Sequence, residues 1–135
     1  MAGNSRTKAR TLALARMLWD ETSPERGLTM SQILERLSAE GVPTERKAVY
    51  RNVTELRRFG FDIRTYQRNP VEYALASRLF DPDELSDAVA AVSACRGIPK
   101  RRRKAICSKL AKLAPKGDRQ QLLGIAGSCS DRKGR

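Results

Sequence analysis

Histidine is absent from the 135 residues. That removes the commonest general base at neutral pH, together with every Ser-His or Cys-His nucleophile pair. Cysteine is scarce: Cys95, Cys107 and Cys129 stand 12 and 22 positions apart. Those gaps fit no zinc-ligand spacing, and an odd count of thiols argues against a disulfide scaffold. The expectation is a non-enzyme with no catalytic residue, metal or cofactor, buried thiols at Cys95 and Cys107, and a loose thiol at Cys129. Aromatic residues make up only 5% of the chain, too few for the base-stacking platforms of single-strand binders. No apolar run nears the ~18 residues of a membrane helix. The N-terminus, MAGNSRTKAR, lacks the apolar heart of a signal peptide. A soluble, cytoplasmic chain without a membrane partner is expected.

What is present in excess is positive charge, a net +12, unevenly placed. Residues 1–60 hold 11 basic and 7 acidic residues, 61–97 hold 4 and 6, and 98–135 hold 12 and 2. Most of the surplus lies in the last third, so bulk charge alone does not identify a reading head.

Residues 1–7 are polar and read as a flexible N-terminus. From Lys8 to about Glu21, Leu12, Ala15, Leu18 and Trp19 recur at helical spacing, widened by Leu14 and Met17. After the TSPERG loop, Thr29 and Gln32 form a capping box, and Leu28 and Ile33 a hydrophobic staple. They open a helix to Glu40 whose core face is Ile33, Leu34 and Leu37. Only Gly41, Val42 and Pro43 are read as separating it from the next, the spacing of a helix-turn-helix.

That next stretch, VPTERKAVYRNVTELRRFGF over Val42 to Phe61, sets Val49, Val53 and Leu56 on one apolar stripe. Arg46, Lys47, Tyr50, Arg51, Thr54 and Arg58 occupy the other faces. Thr44 fits the N-cap and Gly60 the left-handed position past the last turn. A surface helix with a solvated basic face would look the same in isolation. The neighbouring segments favour a recognition helix over 44–59. After it, Phe61, Ile63, Val71, Tyr73 and Leu75 alternate on two short strands around Arg68, Asn69 and Pro70, as in a wing. A hairpin that merely closes the core is the alternative.

Asp81, Pro82 and Glu84 then form a strong helix start, stapled by Phe80 and Leu85. Leu85, Ala88, Val89 and Val92 make a stripe suited to another helix or a second subunit. Ile98-Pro99 opens a further helix to about Ala114, faced by Ile106, Leu110 and Leu113. Its first turn holds Lys100, Arg101, Arg102, Arg103 and Lys104, which oppose the macrodipole at a few tenths of a kcal/mol or more each. Local stability does not account for that placement. A phosphate backbone or an acidic partner would, and a solvated charge run is the default. Residues 115–135 read as a basic, Gly/Ser-rich, disordered tail.

ERKAVYRNVTELRRFGFDIR resembles a signature of bacterial WYL-domain transcriptional regulators, with Arg46, Lys47, Tyr50, Arg51, Leu56, Arg57 and Gly60 matching. The likeness spans about residues 8–121 and stops before the family's sensor domain. The family often has an acidic residue at the position of Asn52, and Thr or Ser at that of Ala48. The resemblance implies a winged helix-turn-helix and a DNA-binding regulator.

The expected architecture is mainly α with a small β-hairpin wing: a winged helix-turn-helix at 8–77, then a two-helix extension at 78–114. The expected partner is double-stranded DNA, read in the major groove. Arg46, Lys47 and Arg51 would face base edges. Tyr50, Thr54, Arg58, Thr29, Ser31 and the wing's Arg64 and Arg68 would face phosphates. Arg57 has a core-side acid as its alternative partner. A homodimer through 81–114 is expected to add affinity. Two other classes fit: a winged-helix protein-interaction module, and non-specific nucleic-acid binding through Lys100–Lys104.

Overall fold

Two capping boxes set the frame, one at Thr29 within the first half of the chain and one at Asp81, near the start of the second. In the computed structural model, which describes the backbone of residues 2–132 and the side chains of 6–127, the Thr29 hydroxyl accepts from the Gln32 amide at 3.2 Å. The Thr29 amide donates to Gln32 Oε1 at 2.9 Å. Asp81 and Glu84 make the same reciprocal pair at 2.8 and 3.0 Å, with Pro82 in the first turn. The described elements run α1 (Ala2–Glu21), β1 (Leu28–Thr29), α2 (Met30–Ala39), α3 (Arg46–Arg58), β2 (Ile63–Tyr66), β3 (Glu72–Leu75), α4 (Pro82–Ala94), α5 (Lys100–Ala111) and α6 (Lys116–Arg132). The protein is thus mostly helical with one small antiparallel sheet of order β1-β3-β2. It divides into two units, residues 1–77 and 78–135.

In the first unit, Leu14, Met17 and Leu18 of α1, Ile33 and Leu37 of α2, and Val49, Val53 and Leu56 of α3 share one core with Ile63, Tyr73 and Leu75 of the sheet. β1 is too short to show in sequence. It pairs Leu28 with Tyr73 and Thr29 with Glu72. The close approach dictates Gly27: a Cβ there would lie 2.7 Å from the Tyr73 carbonyl oxygen. Thr22, fully buried, donates to the Leu18 carbonyl and accepts from the Leu75 amide at 3.0 Å, tying the end of α1 to β3.

Several local expectations shift. α1 extends back to Ala2, so the backbone of 2–7 is helical where a flexible terminus was expected; no proline interrupts that stretch. α2 and α3 are separated by residues 40–45, longer than the three-residue turn expected. Glu40 closes α2, and Gly41 takes the left-handed conformation at φ 83°. Glu45, not Thr44, is the N-cap of α3 and makes no side-chain cap bond. Gly60 is left-handed at φ 100°, as expected.

The second unit corrects the tail. Residues 116–132 form α6, and Leu122 is buried with Leu85, Val89, Cys107, Ala111 and Ala114. Three helices stand where two and a disordered tail were expected; residues 133–135 lie outside the described residues, as does the Cys129 side chain. Of the two partners expected for the Leu85, Ala88, Val89 and Val92 stripe, another helix or a second subunit, the structure supplies the first: Leu85 and Val89 are covered within the unit. The inward face of α5 centres on Cys107 and Ala111, leaving Ile106 and Leu110 half-buried. Cys107 is buried as expected, but Cys95 is exposed because α4 ends there.

Two arginines close helix ends in this unit. Arg103 Nη1 donates to the Ser93 carbonyl in the last turn of α4 at 3.1 Å. Arg119 donates to the carbonyls of Ala114 and Lys112, at 3.0 and 3.3 Å, at the end of α5. Each cation meets orphan carbonyls and the negative end of a helix dipole. Among the described residues no helix is long and apolar enough to cross a membrane, and no cluster of side chains is arranged to hold a metal ion.

Candidate nucleic-acid interface

The 13 residues of α3 sort by helical period into two halves. Ala48, Val49, Asn52, Val53 and Leu56 are buried, while Arg46, Lys47, Tyr50, Arg51, Thr54, Glu55, Arg57 and Arg58 are exposed. With 3.6 residues per turn the exposed set forms one continuous side. Both departures from the family signature, Ala48 and Asn52, fall on the buried side. A hydroxyl at position 48 would point inward, so its lack takes nothing from the outward face. The Asn52 amide nitrogen is buried without a hydrogen-bond partner, and we have no physical account of it.

The outward cations differ in how they are held. Among the described residues Arg46, Lys47, Arg51 and Arg58 make no hydrogen bond or ion pair. Elsewhere in the first unit Arg16 pairs with Glu40, Arg36 with Glu21, Arg64 with Asp62 and Arg68 with Glu72. Arg6, Lys8, Arg10 and Arg26 are also without such a partner among the described residues, so α3 stands out for setting four unpaired cations on one exposed helix side. Arg57 is the exception there. Its Nε donates to the Ile63 carbonyl at 2.7 Å and its Nη2 to Thr65 Oγ1 at 3.2 Å, joining the last turn of α3 to β2. Its partners are a carbonyl and a hydroxyl, not the acid suggested by the sequence.

Tyr50 stands at 47% exposure, near Tyr73 of β3. Burial raises the Tyr73 pKa, and so does Tyr50, while the Arg57 and Arg46 charges partly offset the rise. Thr54 already spends its proton on the Tyr50 carbonyl at 3.0 Å, so in this rotamer it can only accept. At the head of α2, Thr29 serves as cap acceptor and Ser31 is exposed.

On the hairpin, Arg64 is 62% exposed and touches Asp62 through Nε at 3.2 Å. Asp62 also accepts from Ser77, and these two bonds hold its carboxyl below the usual range, the Ser77 bond most. Arg68 is placed otherwise than expected. One nitrogen donates to the Pro24 carbonyl at 2.6 Å, another to Glu72, and the guanidinium lies 4.7 Å from the centre of the Tyr66 ring. Glu72 accepts from Arg68 and from the Gly27 amide at 3.0 Å, and both bonds lower its pKa. Arg68 is therefore a brace between the hairpin and the loop after α1, not an outward contact.

Of the five cations at 100–104, four are exposed and Arg103 turns to Ser93. They belong to the second unit, on a different helix from the α3 surface. Sequence reasoning passes over Tyr73, Thr22 and Glu72 as parts of the support. Their signal is a polar side chain inside or beside an apolar stretch, a pattern common to many strands and helix ends. No protein-family model, no curated protein and no solved structure matches the chain.

Proposed function

We propose that residues 1–77 form a winged helix-turn-helix that binds double-stranded DNA sequence-specifically and acts as a transcriptional regulator, in line with the resemblance to WYL-domain regulators. The observation that carries the reading is the outward half of α3, with its four unpaired cations opposite a buried, mostly apolar anchoring side. The order of elements and the hairpin after α3 support it. α3 enters the major groove, where each base pair presents its own donor and acceptor pattern. Arg46, Lys47 and Arg51 reach base edges, and a bidentate arginine on guanine discriminates by about 1–3 kcal/mol. Tyr50, Arg58, Thr29, Ser31 and Arg64 contact phosphate, while Thr54, whose proton goes to the Tyr50 carbonyl, does not. A homodimer through 81–114 uses outer surface of α4 and α5, because their inner apolar faces are occupied.

Selection of bound sequences from random duplexes tests this with the intact chain, Arg51→Ala and Arg46→Ala. A motif enriched by the parent and lost in Arg51→Ala is the expected result. Failure of the intact chain to enrich any motif overturns the reading.

A further inference from the structure

α5 carries six cations and no acid in 12 residues. One of the six is accounted for: Arg103 is half-buried and closes α4. Arg101, Arg102, Lys104 and Lys109 are exposed and, among the described residues, make no hydrogen bond or ion pair. Acids are available nearby in sequence, at Asp83, Glu84 and Asp87 of α4, yet none pairs with these four cations. Like charges three and four positions apart on a helix repel, and three of the four sit in the first turns, against the dipole. The arrangement works against the isolated helix and favours an external polyanion.

We infer that the outward face of α5 is a second nucleic-acid surface, which holds phosphodiester backbone without reading sequence, through Arg101, Arg102, Lys104 and Lys109. It goes beyond the α3 reading and does not depend on it. The dimensions suit the ligand: Arg101 to Lys109 spans about 12 Å of helix, over which duplex DNA offers about seven phosphates. The composition argues for phosphate over protein, since protein interfaces favour aromatics and disfavour lysine. The described part of the second unit exposes no aromatic among its large apolar residues, only Leu79 and Leu123. It also argues against a bilayer, because Cys107, Leu110 and Ala111 of α5 pack into its own core and Ile106, half-buried, is the one large apolar side chain left beside the four cations, far short of an inserting face.

The test is the salt dependence of full-length chain binding to one random-sequence duplex, for the parent and for Arg101→Gln/Arg102→Gln/Lys104→Gln/Lys109→Gln. Glutamine preserves helix propensity, and circular dichroism reports the helix content. At a slope of about 0.9 per phosphate, the fourfold variant is expected to flatten the log–log slope by 2 or more. Its affinity deficit is then about 16-fold greater at 50 mM than at 200 mM salt. A smaller change in slope overturns the proposal. So does loss of binding to phosphatidylserine vesicles with the DNA slope intact, which would make the face a membrane contact. Should the fourfold variant lose helix, the pairs Arg101→Gln/Arg102→Gln and Lys104→Gln/Lys109→Gln are measured separately, each expected to lower the slope by 1 or more. A motif lost in Arg51→Ala but kept in these variants separates this surface from α3.

Discussion

Adjacent arginines at the end of α3 offer a sharp test, because the structure gives them opposite jobs. Arg57 donates to the Ile63 carbonyl and Thr65, whereas Arg58 has no protein partner among the described residues. Arg57→Ala removes a charge-assisted bond from the junction of α3 and β2. Hydrogen bonds to charged groups contribute about 1.5–3 kcal/mol. Because Arg57 is exposed and water can replace part of that bond, the expected loss is about 1–2 kcal/mol. For a unit of this size that lowers Tm by about 5–10 °C. Arg58→Ala forfeits only a dipole contribution of a few tenths of a kcal/mol and should melt within about 2 °C of the parent. In DNA binding the order reverses. Arg58→Ala loses one phosphate contact, so its salt slope falls by about 0.9. Arg57→Ala keeps its slope at temperatures where it is folded. Differential scanning calorimetry with fluorescence anisotropy titrations at several salt concentrations measures both. Equal melting of the two variants would refute the division of labour, and so would a slope unchanged in Arg58→Ala.

Other expectations follow from single contacts. Thr22→Val keeps shape but leaves the Leu75 amide unpaired; it should cost about 1–3 kcal/mol in urea unfolding, while Thr22→Ser retains most of the stability. The bonds from Arg68 and Gly27 depress the Glu72 pKa below its ordinary 4.5, so their contribution is complete above pH 4.5 and fades as pH falls through the folded value. Glu72→Gln should therefore lower the urea midpoint at pH 7 and make the decline below pH 4.5 shallower than in the parent. Leu122→Ala should cost about 2–5 kcal/mol by opening the second core. Leu123→Ala, at a 38% exposed position, should stay within about 0.5 kcal/mol.

Legibility in the sequence follows the range of the interaction. Capping boxes at Thr29 and Asp81 are readable because every atom involved lies within three residues. The outward side of α3 is readable because a helix repeats over its own length. Ala48 and Asn52 escape the apolar stripe because one is small and the other polar, yet their spacing from Val49, Val53 and Leu56 puts them on the same side. The bracing roles of Arg57 and Arg68 are not readable: their acceptors include main-chain carbonyls on other elements, and every residue has a carbonyl. α6 hides because Gly117, Gly124 and Gly127 each cost about 1 kcal/mol of helix propensity. Its anchor is tertiary, the burial of Leu122 against α4 and α5. Residue type alone points Cys95 inward, but the termination of α4 decides its exposure.

The arginine closures in the second unit also bear on how the chain matures as it emerges from the ribosome. The first unit is self-sufficient early, since its braces at Thr22, Arg57 and Arg68 all find partners before Ser77. The second is serviced from downstream. The carbonyls at the end of α4 wait for Arg103, those at the end of α5 wait for Arg119, and the core waits for Leu122. A chain truncated after residue 114 would thus hold a finished first unit tethered to two helices with one open end and a half-open core. Completion of the second unit is tied to the emergence of α6, so the two halves of the chain reach their final form in sequence, the first well before the second.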